Sequence, residues 1–159
     1  MKIGEDFGDN DIARFLRARS FDCGKAKEML ENYFKWKKEN LVELSLQQKV
    51  TVKCLEQLRT TYLSSVTDKF GRPVIVAFPS RHNPKKRNLE EVLMGLVYLL
   101  EEASKKAKPP HEKFVVLLNM QNFGLRNNDL SFLRPAINIL QNYFPERGWL
   151  QFQKKEAFF

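Results

Sequence analysis

The 159-residue sequence predicts an α/β fold, with an N-terminal helical cap followed by a three-layer lobe on a mostly parallel sheet. Three observations predict it. Apolar residues recur at helical spacing through the first part of the chain. Phe114-Val115-Val116-Leu117-Leu118 is apolar without interruption, the pattern of a strand covered on both faces. From Val74 onward strand-like and helix-like segments alternate, which implies right-handed crossovers between parallel strands. The expected division is a helical cap over residues 1–58 and an α/β lobe over residues 59–159.

Near the start of the chain, Asp9 or Asn10 would cap a first helix with Ile12, Phe15 and Leu16 on one face. Asp22 would cap a second, whose Ala26, Met29, Leu30, Tyr33 and Phe34 follow the i, i+3, i+4, i+7 rule. Between Leu41 and Leu58 the pattern fits helix or loop, with Val50, Val52 and Leu55 as its buried side. Leu58–Val66 and Val74–Phe78 flank Asp68-Lys69-Phe70-Gly71 and read as a hairpin, because Gly71 accepts the positive φ of a tight turn. Leu89–Ala103 is apolar almost all round, which predicts a buried helix in which Gly95 permits close packing. Leu130, Leu133, Ala136, Ile137, Leu140 and Phe144 mark an amphipathic helix, and Trp149–Gln153 a last strand.

A net charge of +8 points to an acidic partner surface without choosing between anionic membrane and nucleic acid. The aromatics fall at core periods and form no stacking platform, which argues against nucleic acid. No apolar run approaches the roughly 20 residues that span a bilayer. No signal-peptide core follows Met1–Glu5, and Cys23 and Cys54 form no paired framework, so reduced thiols in the cytoplasm are expected. His82 and His111 lack a second ligand at metal spacing and read as surface histidines. The glycines are scattered singly, with no nucleophile elbow and no phosphate loop. Glu90-Glu91 and Glu101-Glu102 read as solvated helix pairs. No catalytic residue, metal or cofactor is expected, and the chain does not read as an enzyme.

Asp11-Ile12-Ala13-Arg14-Phe15-Leu16-Arg17-Ala18-Arg19-Ser20-Phe21-Asp22, continuing through Lys25, Ala26, Met29 and Leu30, resembles the N-terminal helical part of the CRAL-TRIO family of lipid-binding domains. Asp68–Val74 and Tyr143-Phe144-Pro145-Glu146-Arg147 agree with it in the family's order. The resemblance weakens after Arg147, where Gly148 stands in place of a usual Leu and Lys154-Lys155-Glu156 in place of an Asn-Ala-Pro-like run. It implies a lobe lacking the family's C-terminal gate region, whose gate helix and downstream headgroup residues would lie beyond Phe159.

For the site, the resemblance implies that Arg19 and Glu146 hold a lipid headgroup; a guanidinium suits a phosphate bidentately. Structural alternatives stand beside this. Arg14 and Arg17 would cover apolar surface and pair with Asp11 or Glu28, and Glu146 would pair with Arg147 or cap a helix. Val74, Val76, Phe78, Leu118, Met120 and Phe152 would line a lipid-tail pocket, or else serve as core. The basic runs at Lys35–Lys38, Lys85–Arg87 and Lys105-Lys106 would favour anionic lipid if clustered, and Asn83–Arg87 also mimics a nuclear-import signal.

The implied function is non-enzymatic binding of a phospholipid, phosphatidylinositol or phosphatidylcholine, with transfer or presentation between cytosolic membranes. Val74–Pro79 followed by Arg81-His82-Asn83 looks most like the phosphoinositide-transfer branch. The competing class is a protein-interaction module for small GTPases or their regulators. Peripheral membrane association is expected, as is a homodimer or larger species, formed by addition at the edge strand Trp149–Gln153 or by exchange of the C-terminal segment.

Overall fold

The computed structural model describes residues 7–46, 54, 56, 58, 60–110 and 112–153. Two helices, α1 (Asp9–Ala18) and α2 (Cys23–Leu46), precede the hairpin β1 (Thr61–Thr67) and β2 (Pro73–Ala77). Then come α3 (Leu89–Lys106), β3 (Phe114–Asn119), α4 (Leu130–Tyr143) and β4 (Gly148–Gln153). The sheet order is β1-β2-β3-β4, antiparallel within the hairpin and parallel from β2 to β4. This is the mixed, mostly parallel α/β arrangement that the alternation of segments predicts.

The first helix starts a residue earlier than its acidic residues suggest. Gly8 is its N-cap, and the Asp11 carboxylate reaches back to accept the Gly8 N–H at 3.0 Å. Asp22 does cap α2, accepting the Lys25 N–H at 3.0 Å. The connecting turn passes through Ser20 and Phe21, both at positive φ, which residues with a β-carbon adopt only under local constraint. Helix α2 then runs unbroken to Leu46, so the segment from Leu41 is helical at its start. Val50, Val52 and Leu55, the expected buried side of that segment, lie outside the described residues.

The hairpin turn is organised by one carboxylate. Asp68 accepts the N–H groups of Phe70 and Arg72 on Oδ1 and the Arg72 Nε–H on Oδ2, while Gly71 takes φ of 75°. Helix α3 starts at Asn88, whose Oδ1 accepts the Glu90 and Glu91 N–H groups. It buries Val92, Val97, Leu99, Leu100 and Ala103 against Ile75, Phe114 and Ile139 to form the main core. Gly95 is required there: a β-carbon would stand 2.6 Å from Leu58 Cδ1 and 2.9 Å from the Cys54 carbonyl oxygen.

Helix α4 is apolar on two sides. Ala136 and Ile139 are buried with Phe144, and Phe132, Leu140 and Tyr143 pack partly against the core. Leu130, Leu133 and Ile137, which the expected stripe included, face solvent instead. His82 also differs from expectation. Its Nε2 lies 2.8 Å from Asp129 Oδ2, and Arg87 donates to the same carboxylate, with Nη2 2.8 Å from Oδ1. Arg87 is thereby withdrawn from the basic run that mimics an import signal. Both side chains are largely buried and tie the loop after β2 to the start of α4. Among the described residues no helix is long and apolar enough to cross a membrane.

Candidate functional site

Lateral neighbours in a sheet share a face and successive residues alternate, so register assigns each strand residue a side. Leu63, Ile75 and Val116 are in register, and all three join the packed core beneath α3. Tyr62, Val76 and Leu117 are in register on the opposite face. Val74, two residues from Val76, shares that face, as does Phe78, whose ring stacks on Tyr62 with centroids 6.3 Å apart. Val74, Val76, Phe78 and Leu117 are only partly buried, and none belongs to the core cluster.

The six residues expected to line a tail pocket therefore divide. Val74, Val76 and Phe78 stand together on the face turned away from the core. Leu118 is in register with Ala77 and Phe152, which places this pair on the α3–α4 side. Phe152 is 65% exposed there, and Leu150 beside it 50%, at the β4 edge. Met120 follows the end of β3 and is partly buried.

Arg19 lies elsewhere, at the exit of α1. Its guanidinium donates to the Ala18 carbonyl at 3.2 Å and to Asn142 Oδ1 on α4 at 3.3 Å. It opens on a cleft of about 680 Å³ between α2 and α4, whose lining also includes Lys25, Lys35, Asn138 and the Trp36–Tyr143 pair. Those two rings stack nearly parallel, with centroids 4.2 Å apart, and join α2 to α4. Among the described residues, no strand residue lines this cleft. With three cations against Glu28 and Glu39, the cleft carries a modest positive excess, suited to an anionic group at its mouth.

Glu146 is exposed on the turn before β4, at φ of 59°, and does not line the Arg19 cleft. Arg147 turns away from it, donating to Asp11 Oδ1 at 3.0 Å and to the Ser104 carbonyl at 3.3 Å. Arg14 pairs with Asp11 as its spacing predicts, while Arg17 is exposed. Sequence reasoning missed Asn138 and Asn142, which line the cleft one helical turn apart and hydrogen-bond each other at 2.6 Å. Their shared i, i+4 spacing, which puts two amides on one face of the helix, is the signal that marks them.

Comparison with known proteins gives a consistent picture. The family model described as CRAL/TRIO domain matches residues 56–148. The chain is 33% identical to the SEC14 cytosolic factor of Eremothecium gossypii over 154 residues, covering 87% of this chain and 50% of that protein. It is 29% identical to human Clavesin-2 over 145 residues, covering 87% and 44%. It is 28% identical to the Phosphatidylinositol transfer protein CSR1 of Eremothecium gossypii over 152 residues, covering 89% and 34%. The chain thus spans half or less of the length of these relatives.

Proposed function

The chain belongs to the CRAL/TRIO domain family, and on that premise we propose that it binds a phospholipid without chemically changing it. In this reading the acyl chains lie on the open sheet face at Val74, Val76 and Phe78. Arg19 and Glu146 are the proposed headgroup contacts, although among the described residues they share no cleft with each other or with that face. Phosphatidylinositol is the favoured ligand, with phosphatidylcholine the alternative, and the protein presents or transfers it at the surface of cytoplasmic membranes. The name of the CSR1 relative supports the first choice.

The observation that carries the proposal is the open face itself. Central strands of a mostly parallel sheet are ordinarily covered on both sides, yet these partly buried apolar residues stay outside the packed core. Among the described residues of β2 and β3 on that face from Val74 onward, only Val115, beside Val74, is fully buried. An apolar surface beside water calls for an apolar partner, and two acyl chains meet that need. The reading as a small-GTPase module has no comparable observation behind it.

Binding to vesicles containing phosphatidylinositol tests the headgroup assignment. Arg19→Ala should weaken it roughly tenfold or more, the worth of a charge-assisted contact to phosphate. Arg17→Ala removes the same charge from an exposed position and should change it less than about twofold. Equal losses would mean diffuse attraction and contradict the assignment.

A further inference from the structure

A second cleft, of about 390 Å³, lies where α1, α2 and α3 meet the turn after α4. Its polar wall is unusual for a helix junction. Arg14 and Arg147 both donate to Asp11 Oδ1, and the other oxygen of that carboxylate already accepts the Gly8 N–H. One carboxylate thus serves two guanidinium groups. Burial, then the nearby charge of Arg147, lowers the Arg14 pKa to about 10, so it remains charged at neutral pH.

Two further buried atoms of its lining residues lack partners among the described residues. The Arg14 side chain is only 7% exposed, yet its Nε–H finds no acceptor among the described residues. Ser104 Oγ, across the cleft on α3, is buried and equally unsatisfied. Buried donors without acceptors are rare in native proteins, and a bound group is one established reason for them. Lys37 on α2 also lines the cleft, with its Nζ 5.6 Å from the centre of the Tyr33 ring. Lys105 is held by Glu102 at 2.8 Å, which leaves Arg14, Arg147 and Lys37 against Asp11 and Glu101. Glu112, just outside the lining, also acts on Arg14 and Arg147, so with Glu102 counted the cleft is close to neutral.

We propose that this cleft is a phosphate-binding site, taking one phosphate group between Arg14 Nε, Ser104 Oγ and Lys37. An N–H, a hydroxyl and an ammonium answer an acceptor with several oxygens. The group is the phosphate of either a soluble metabolite or a lipid headgroup. The site shares no lining residue with the Arg19 cleft except Tyr143, so its test is separate from the reading above.

The direct probe is the Arg14 Nε–H resonance, titrated with inorganic phosphate at constant ionic strength against chloride. A saturating shift with phosphate and none with chloride is expected. Ser104→Ala and Lys37→Ala lie outside the Asp11 pair, and each should raise the phosphate Kd roughly tenfold. Inositol 1-phosphate and vesicles containing phosphatidylinositol phosphate then separate the sources. Saturation by the soluble compound assigns a metabolite, and saturation by vesicles alone assigns a headgroup. A linear shift, an equal response to chloride, or unchanged affinity in both variants would overturn the proposal.

Discussion

The two faces of the sheet are made of the same residue types and differ in what they meet. On one, Ile75 is buried in the core beneath α3, and Val116 and Leu63 pack against that core. On the other, Val74, Val76, Leu117 and Phe78 are partly buried and stay outside that core, while Val115 beside Val74 is 4% exposed. Residue type alone does not separate structural from ligand-facing positions here. Their partners do, and the partners are set by register.

The largest test of this difference is a pair of truncations one residue apart. Ile75→Ala should cost about 2–5 kcal/mol in urea unfolding, since Ile75 is 1% exposed and its removal leaves a cavity. Val76→Ala should cost less than about 1 kcal/mol, because its side chain already borders solvent. Equal costs would show that both faces are core, and the open-face account would fail.

The clamp holding the covered side comes next. Hydrogen bonds from Arg87, aided by His82 and Ser131, hold the Asp129 carboxyl well below the usual carboxylate range. A depressed native pKa stabilises the fold above the unfolded value and loses that contribution as pH falls below about 4. Asp129→Asn should cost about 2 kcal/mol at neutral pH by leaving Arg87 without its counter-charge. It should also flatten the acid limb of the stability curve between about pH 4 and pH 2. A wild-type acid limb that the variant reproduces would contradict the clamp.

Gly95→Ala sharpens the packing of α3. Alanine favours a helix by about 1 kcal/mol, but overpacking against the Cys54 backbone costs about 1–3 kcal/mol. A net loss near 1 kcal/mol by thermal unfolding is expected, and a gain would show that the contact relaxes. The smallest effect concerns the β4 edge, where Leu150 and Phe152 face water and Leu133 and Ile137 of α4 are also exposed. We expect the 159-residue chain to self-associate through this edge at tens of micromolar, and Phe152→Lys to shift it toward monomer in sedimentation. A wild-type chain already monomeric at that concentration would remove this expectation.

Much of this arrangement was legible from local pattern. The hairpin announced itself through Asp68 and Gly71, and the Arg14–Asp11 pair through its i, i+3 spacing. The parallel strands were legible as strands but not as faces. When both sides of a strand are apolar, period-two alternation disappears, so Val74, Val76 and Phe78 could not be separated from Leu118 and Phe152. Long-range polar contacts left no local trace either. Arg19 meets Asn142 across 123 residues, Arg147 meets Asp11 across 136, and His82 meets Asp129 across 47. Each partner is an ordinary polar residue until the fold brings it near.

Photocrosslinking tests the central claim most directly. Phosphatidylinositol carrying a diazirine in its acyl chain is presented to the protein in vesicles, and labelled residues are mapped by peptide mass spectrometry. Label is expected at Val74, Val76, Phe78 and the neighbouring Tyr62, with Ile75 spared. Label confined to Leu133, Ile137, Leu150 and Phe152, with none on the open face, would contradict it.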